Sequence, residues 1–196
     1  PESTEVTYVY LEGDTVTVEG SGAVVNGSSL TVTSGGVFSI SGNLNDGEIV
    51  VDTQDRETVF FKLSGVDITS STSAPIYIRS ADNTIITLEE GTNNVLTDGK
   101  DFIFADGEDE PDAAIFAHDD LTIDGSGSLT VQANYGDGIE SRDDLKITGG
   151  NIHITAADIG LFGNNSFEMK TAAVVITAGG DTIHSDGDII IESGTL

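Results

Sequence analysis

The chain has 196 residues, enough for one substantial core or two small ones. Its 34 acidic against 7 basic residues give a formal net charge of -27, a field that repels phosphate backbones and anionic bilayers and makes nucleic acid a poor partner. The chain has no cysteine, which excludes disulfides, zinc–thiolate sites and thiol nucleophiles, and it has no run of 18 apolar residues to insert into a membrane.

The first residue is Pro rather than Met, which points to a processed or trimmed chain. Along the first half, "VFSISG" at 37 and "FFKLSG" at 60 repeat after 23 residues, and "ITLEEG" at 86 follows the same plan less regularly. No stretch sustains an apolar period of 3.6 residues, so helix is nearly absent. The loop "DGEDEPD" (106–112) then concentrates five carboxylates.

From residue 111 onward the repeat becomes regular. "DAAIFAHDDLTI" (112–123) aligns with "GDGIESRDDLKI" (136–147), "DIGLFGNNSFEM" (158–169) and "GDTIHSDGDIII" (180–191). The anchors Ile115, Ile139, Leu161 and Ile183 are 24, 22 and 22 residues apart, and apolar pairs follow each anchor at six and eight residues. Further alternating runs lie between them at "LTV" (129), "IHI" (152) and "VVI" (174). Each unit therefore holds three short strands of period two. One such unit cannot bury its own apolar face, whereas stacking units at the ~4.8 Å strand spacing surrounds one continuous core with three parallel sheets.

The expected fold is all-β, a right-handed parallel β-helix of three-stranded coils of about 22–24 residues, with its hand set by strand twist and crossover preference. It forms a single domain over 1–196, with irregular coils over 1–110 and regular coils over 111–196. A sandwich of hairpins is the competing all-β arrangement, but it does not explain the four-fold register. All the anchors and following pairs should point inward. Because the sequence stops just after the strand "III", further chain or a packing partner is expected at that edge.

Stacking gives the repeated Asp-Asp a meaning. Asp119, Asp143 and Asn165 fall one strand spacing apart in one row, and Asp120, Asp144, Ser166 and Asp188 form a parallel row. Two carboxylates at ~4.8 Å repel by roughly 1–3.5 kcal/mol, depending on the effective dielectric. Further acids precede the anchors at Asp112, Asp137, Asp158 and Asp181. A hard divalent cation such as calcium, which takes six to eight oxygen ligands in irregular geometry, would offset such rows. The plainer alternative is that each Asp or Asn caps a turn by bonding its own backbone. Neither the twelve-residue calcium loop nor the glycine-rich nonapeptide fits, so the cation inference rests on stacking.

The runs "DAAIFAHDDLTIDGSGSLTV", "GDGIESRDDLKITGGNIHITAADIGLFGNN" and "ITAGGDTIHSDG" resemble the bacterial carbohydrate-binding β-helix family that is itself similar to polysaccharide lyases. The likeness covers about residues 95–196, and the first half agrees in style only. It implies a right-handed parallel β-helix, bound Ca2+ on the aspartates of the matching motifs, an extracellular or cell-surface location, and adhesion to plant cell-wall polysaccharide without cleavage. Asn165 stands where the resemblance implies Asp in other members of the family, which weakens that coil as a cation site.

The metal candidates are thus Asp112, Asp119, Asp120, Asp137, Asp143, Asp144, Asp158, Asn165 and Asp181. Polygalacturonate, being anionic, needs bridging cations to approach this chain, whereas neutral cellulose would stack on exposed rings. Phe116 and Phe162, which alternation points outward two coils apart, and Tyr135 are the ring candidates. Arg142 is the candidate polar contact, with a local ion pair as its plainer role. Glu140 and His184 also point outward, as ordinary surface positions. No catalytic signature rises above the acidic background. A polysaccharide-binding protein is the expected function, with a calcium-dependent lyase and a passive stalk or adhesin scaffold as alternatives.

Overall fold

The computed structural model describes residues 5–54 and 57–196. The chain is 62% strand with no helix among the described residues, and it winds as an all-β solenoid of parallel strands. Four successive coils carry strands Ala113–Ala117, Asp120–Gly125 and Ser128–Ala133; Asp137–Ser141, Asp144–Ile147 and Asn151–Ala156; Leu161–Gly163, Ser166–Met169 and Ala172–Ala178; and Ile183–His184, Asp188–Ile191 and Gly194–Thr195. Each strand pairs in parallel with its counterpart one coil away. Ile115 sits on Ile139, then Leu161, then Ile183, while Leu121 sits on Leu145, then Phe167, then Ile189. Leu129 and Val131 lie beside Ile152 and Ile154 in parallel, which rules out the hairpin sandwich.

Alternation determines which residues fill the core. Ile115, Leu121, Ile123, Ile139, Leu145, Ile147, Leu161, Phe167 and Met169 are all fully buried in one continuous cluster. Ile183 is half-buried, and Ile189 and Ile191 are exposed because no coil covers them on their far side.

The earlier coils are built differently. The coil Ile76–Ser80, Asn83–Leu88 and Asn93–Asp98 has three strands, but those before it use long strands that turn a corner unbroken. Val59–Ser70 pairs through its first half with Asn83–Leu88 and through its second with Asn93–Asp98. It thereby joins the second and third faces into one 14-stranded sheet, while the first face remains a separate sheet of eight strands. The three expected sheets are therefore two. Gly36–Leu44 behaves likewise, with a register shift between Ile40 and Gly42. Gly42 has φ +100°, and a Cβ there would lie 2.2 Å from the Leu11 carbonyl oxygen, so only glycine fits this bend. Antiparallel strands Val16–Glu19 and Ala23–Asn26 cover the first coil. The segment 99–112 leaves the solenoid between Asn93–Asp98 and Ala113–Ala117 and lies over the outer side of the first face.

Candidate functional site

The two aspartate rows form as the stacking requires. They run along the corner between the first and second faces, where each coil turns between strands. The Asp144 amide donates to Asp120 Oδ1 at 3.2 Å, and the Ser166 hydroxyl donates to Asp144 Oδ1 at 2.8 Å. The Asn165 side-chain amide donates to Asp143 Oδ1. Asp120, Asp143 and Asp144, all half-buried, each bring a carboxylate oxygen within 4.8 Å of the other two. Burial raises the Asp120 carboxyl above its ordinary value, and the charges of Asp143 and Asp144 add to this, while the Asp144 amide and Lys146 pull it back. Lys146 Nζ lies 3.7 Å from Asp144 Oδ2, one cation against three carboxylates.

Oxygens facing each other across a calcium ion lie roughly 4.6–5.2 Å apart, twice the usual ligand distance, so this trio fits part of such a shell. Carbonyls, hydroxyls or water must supply its remaining ligands. Asp119 stands aside, because its Oδ2 accepts from the Ala81 amide at 3.0 Å and so ties its turn to the preceding coil. Asn165 donates rather than offering its oxygen to Asp143.

The acids before the anchors do not form one site. Asp137 is buried and its Oδ1 accepts from the Ile159 amide at 2.9 Å; burial pushes its carboxyl up to about 6. Asp158 and Asp181 are exposed, and Asp181 lies 3.5 Å from His184. Asp112 belongs to a cluster around Arg142, whose guanidinium reaches Glu110 at 2.6 Å, Glu140 at 3.0 Å and Asp112 at 3.9 Å. Glu140 is not the surface residue that alternation indicated. It is buried, and desolvation first, then Asp112, raises its carboxyl well above the usual range, with Arg142 pulling back. Arg142 also lies over the Phe116 ring, 5.4 Å from its centroid. It is thus held by three carboxylates and an aromatic face, with two carboxylates supplied by the acidic loop.

Phe116 also corrects the sequence reading. Alternation gives its direction correctly, outward from the core, yet it is fully buried. The reason is the outer layer over the first face, where Phe116 packs in a second apolar cluster with Val50, Ala74, Tyr77 and Ala113. A ring in that position cannot stack on a sugar. Phe162 is half-buried and meets His184 edge-on at 5.0 Å. Tyr135 is exposed and does not stand alone: Phe102 stacks on it at 4.3 Å and 13°, and Phe104 meets it edge-on at 5.9 Å. The sequence reading missed Phe102 and Phe104. The alternating "FIF" at 102–104 was visible, but nothing local tied that irregular segment to Tyr135.

The coils therefore carry a cation-sized oxygen cluster at the corner between the first and second faces, a locked arginine beside it, and, at the corner between the third and first faces, a group of three rings of which Tyr135 is exposed and Phe102 and Phe104 are half-buried. Comparison with known proteins bears on what such a surface does. Residues 26–196 match the family described as carbohydrate-binding domain-containing protein. A protein of that same description from Acetivibrio thermocellus is 43% identical over 150 residues, 76% of this chain and 52% of the relative, so the chain spans about half that relative's length. The solved structure of the polysaccharide lyase-like protein from C. thermocellum, a gadolinium derivative, superposes with a TM-score of 0.94 at 39% identity, covering 97% of this chain and 80% of that one.

Proposed function

This chain belongs to the carbohydrate-binding domain-containing protein family, and from that premise we propose that it is a calcium-holding, extracellular or cell-surface polysaccharide-binding protein that binds without cleaving. The solenoid is read as a right-handed β-helix from strand twist and crossover preference. The observation that carries the calcium reading is the Asp120, Asp143 and Asp144 trio. Those three would hold the ion, with Ser166 placed beside Asp144. Once bound, a divalent cation cancels local charge and can bridge protein carboxylates to those of a uronate chain, which is how a chain at -27 could retain acidic pectin-type sugars. That the related polysaccharide lyase-like protein gave a gadolinium derivative supports the same reading, since a lanthanide is a hard cation that favours oxygen ligands. Cellulose, being uncharged, needs no bridge. Binding without catalysis is supported by the state of the basic groups beside the rows, since Arg142 is clasped by carboxylates and Lys146 is paired to Asp144.

The test is migration through gels containing polygalacturonate, run with calcium and with chelator. Retention in calcium that is released by chelator is expected, and Asp144→Asn should lose it. Equal retention in both conditions would remove the bridging mechanism. Ultraviolet absorbance from an unsaturated product would move the assignment to a calcium-dependent lyase, and no retention on any polysaccharide would leave a stalk or adhesin scaffold.

A further inference from the structure

A cleft of about 870 Å³ lies over the first face, between the outer side of strands Glu48–Asp52 and Ile76–Ser80 and the segment 99–112. Its size is within the range of small-molecule and oligosaccharide sites. The floor is polar and aromatic. Tyr77 lies there with the Arg79 guanidinium over its ring at 5.2 Å, and its hydroxyl is 3.5 Å from His118 Nε2. Glu110 Oε2 lies 3.2 Å from that same nitrogen. The opposite wall is apolar, made by Ile103, which is 76% exposed, and Phe104, whose ring continues outside the cleft into the Phe102 and Tyr135 stack. Hydroxyls of Ser29 and Ser73 and the carboxylates of Asp46, Glu48 and Glu108 line the remainder.

We propose that this cleft and its ring wall form a binding site for an uncharged, hydroxyl-rich glycan, separate in chemistry from the aspartate rows. The inference rests on the polysaccharide-binding reading and names a second site within it. Three features decide the ligand class. First, the side chains supply both halves of sugar recognition: carboxylates that accept from hydroxyls, and Arg79 and His118 that donate to ring and hydroxyl oxygens. Second, Phe104 and Ile103 offer an apolar face to the C–H side of a pyranose, and the Phe102 and Tyr135 stack extends that face beyond the cleft for further sugar units. Third, the charge excludes an anion. Within the lining the carboxylates Asp46, Glu48, Glu108 and Glu110 face Arg79 and His118; Arg79 is already paired with Asp52 at 3.5 Å and Glu110 with Arg142 at 2.6 Å, so Asp46, Glu48 and Glu108 remain in excess. A uronate entering there meets net repulsion. No cation is positioned to relieve it, because the one carboxylate cluster of metal-holding geometry among the described residues is Asp120, Asp143 and Asp144, none of which lines the cleft.

The experiment is isothermal titration calorimetry in excess chelator with cellohexaose, xylohexaose and a galacturonate hexamer, on the wild-type chain and on Phe104→Ala and Arg79→Gln. The expected result is wild-type binding of at least one neutral hexamer, weakened about tenfold or more in both variants, with the galacturonate hexamer not bound. Both variants should remain folded with midpoints only slightly below the wild type, since Phe104 lies on a surface segment and the Arg79 pair with Asp52 is exposed. Both should also keep calcium-dependent retention on polygalacturonate gels. Absence of binding to both neutral hexamers overturns the proposal, as does binding that both variants leave unchanged. Binding of the galacturonate hexamer alone, lost in Arg79→Gln, overturns the neutral assignment. Failure of the cation-bridged function is read separately, as gel retention that calcium does not alter.

Discussion

The coils from Ala113 onward and those before Asp98 enclose one core by different means. In the later coils each strand is short and each offset recurs, so a residue at a turn meets its positional counterpart one strand spacing away, Asp144 beside Asp120 and Asn165 beside Asp143. Rows form without any residue being selected as a partner for another. In the earlier coils long strands cross corners, register shifts, and antiparallel strands cover the end, so acids stay scattered and no comparable cluster forms among the described residues. A regular repeat thus concentrates charge, and with it the means to hold a cation. The irregular 99–112 insertion at the junction between the two regions instead makes a cleft and an aromatic surface.

The largest expected effects test whether the two regions unfold together. Phe61, fully buried edge-on against Phe38 at 6.1 Å, and Phe167, fully buried in the later coils, should each cost about 3–5 kcal/mol on replacement by Ala. Because solenoid coils contact mainly their neighbours, Phe167→Ala should speed amide exchange chiefly over 139–196, and Phe61→Ala chiefly over the earlier coils. Uniform acceleration along the chain in either variant would show one cooperative unit and erase the distinction.

Next in size is the carboxyl that the later coils bury. Asp137 has its folded-state value raised from 3.8 to about 6, so the folded chain binds this proton more tightly than the unfolded chain. The resulting stability is present below about pH 4 and is lost as pH rises through about 6. Asp137→Asn in chelator should therefore raise stability by up to about 3 kcal/mol at pH 7 and change it little at pH 4, read from denaturant midpoints at the two pH values. An equal change at both would mean that the substitution acts through packing. Asp98, at the end of the preceding coil, is raised to about 6 for the same first reason, burial, and provides the matching measurement outside the regular coils.

Calcium should stabilise by a comparable or slightly smaller amount. At a hundred times its dissociation constant, a ligand bound only to the folded state adds about 2.7 kcal/mol. Asp143→Asn or Asp144→Asn should abolish most of the calcium-induced rise in unfolding midpoint. Asp52→Asn, in the earlier coils, should leave it intact. A midpoint insensitive to chelator in the wild-type chain would return the rows to turn capping. The smallest effect is that of Asp52→Asn on stability itself: it removes an exposed pair with Arg79 and should cost less than about 1 kcal/mol.

The one-dimensional features of the molecule were legible in the sequence. Period-two alternation assigned Ile115, Leu121, Ile139, Leu145 and their successors to the core, and the 22–24-residue offset placed Asp143 between Asp119 and Asn165, because a parallel stack turns sequence offset directly into distance. Alternation sets only which way a side chain points, however, and not what lies there. Phe116 and Glu140 point away from the core as the pattern indicates, yet they are buried, Phe116 among Val50, Ala74, Tyr77 and the Arg142 guanidinium, and Glu140 behind Arg142 and the carboxylates it gathers. Which aspartates share oxygens and which cap turns was likewise decided by rotamers and backbone partners, so Asp119 bonds Ala81 while Asp120 turns toward Asp143 and Asp144. The meeting of Phe102, Phe104 and Tyr135 belongs to the tertiary structure alone, because the irregular segment that brings these rings together has no period from which a position could be calculated.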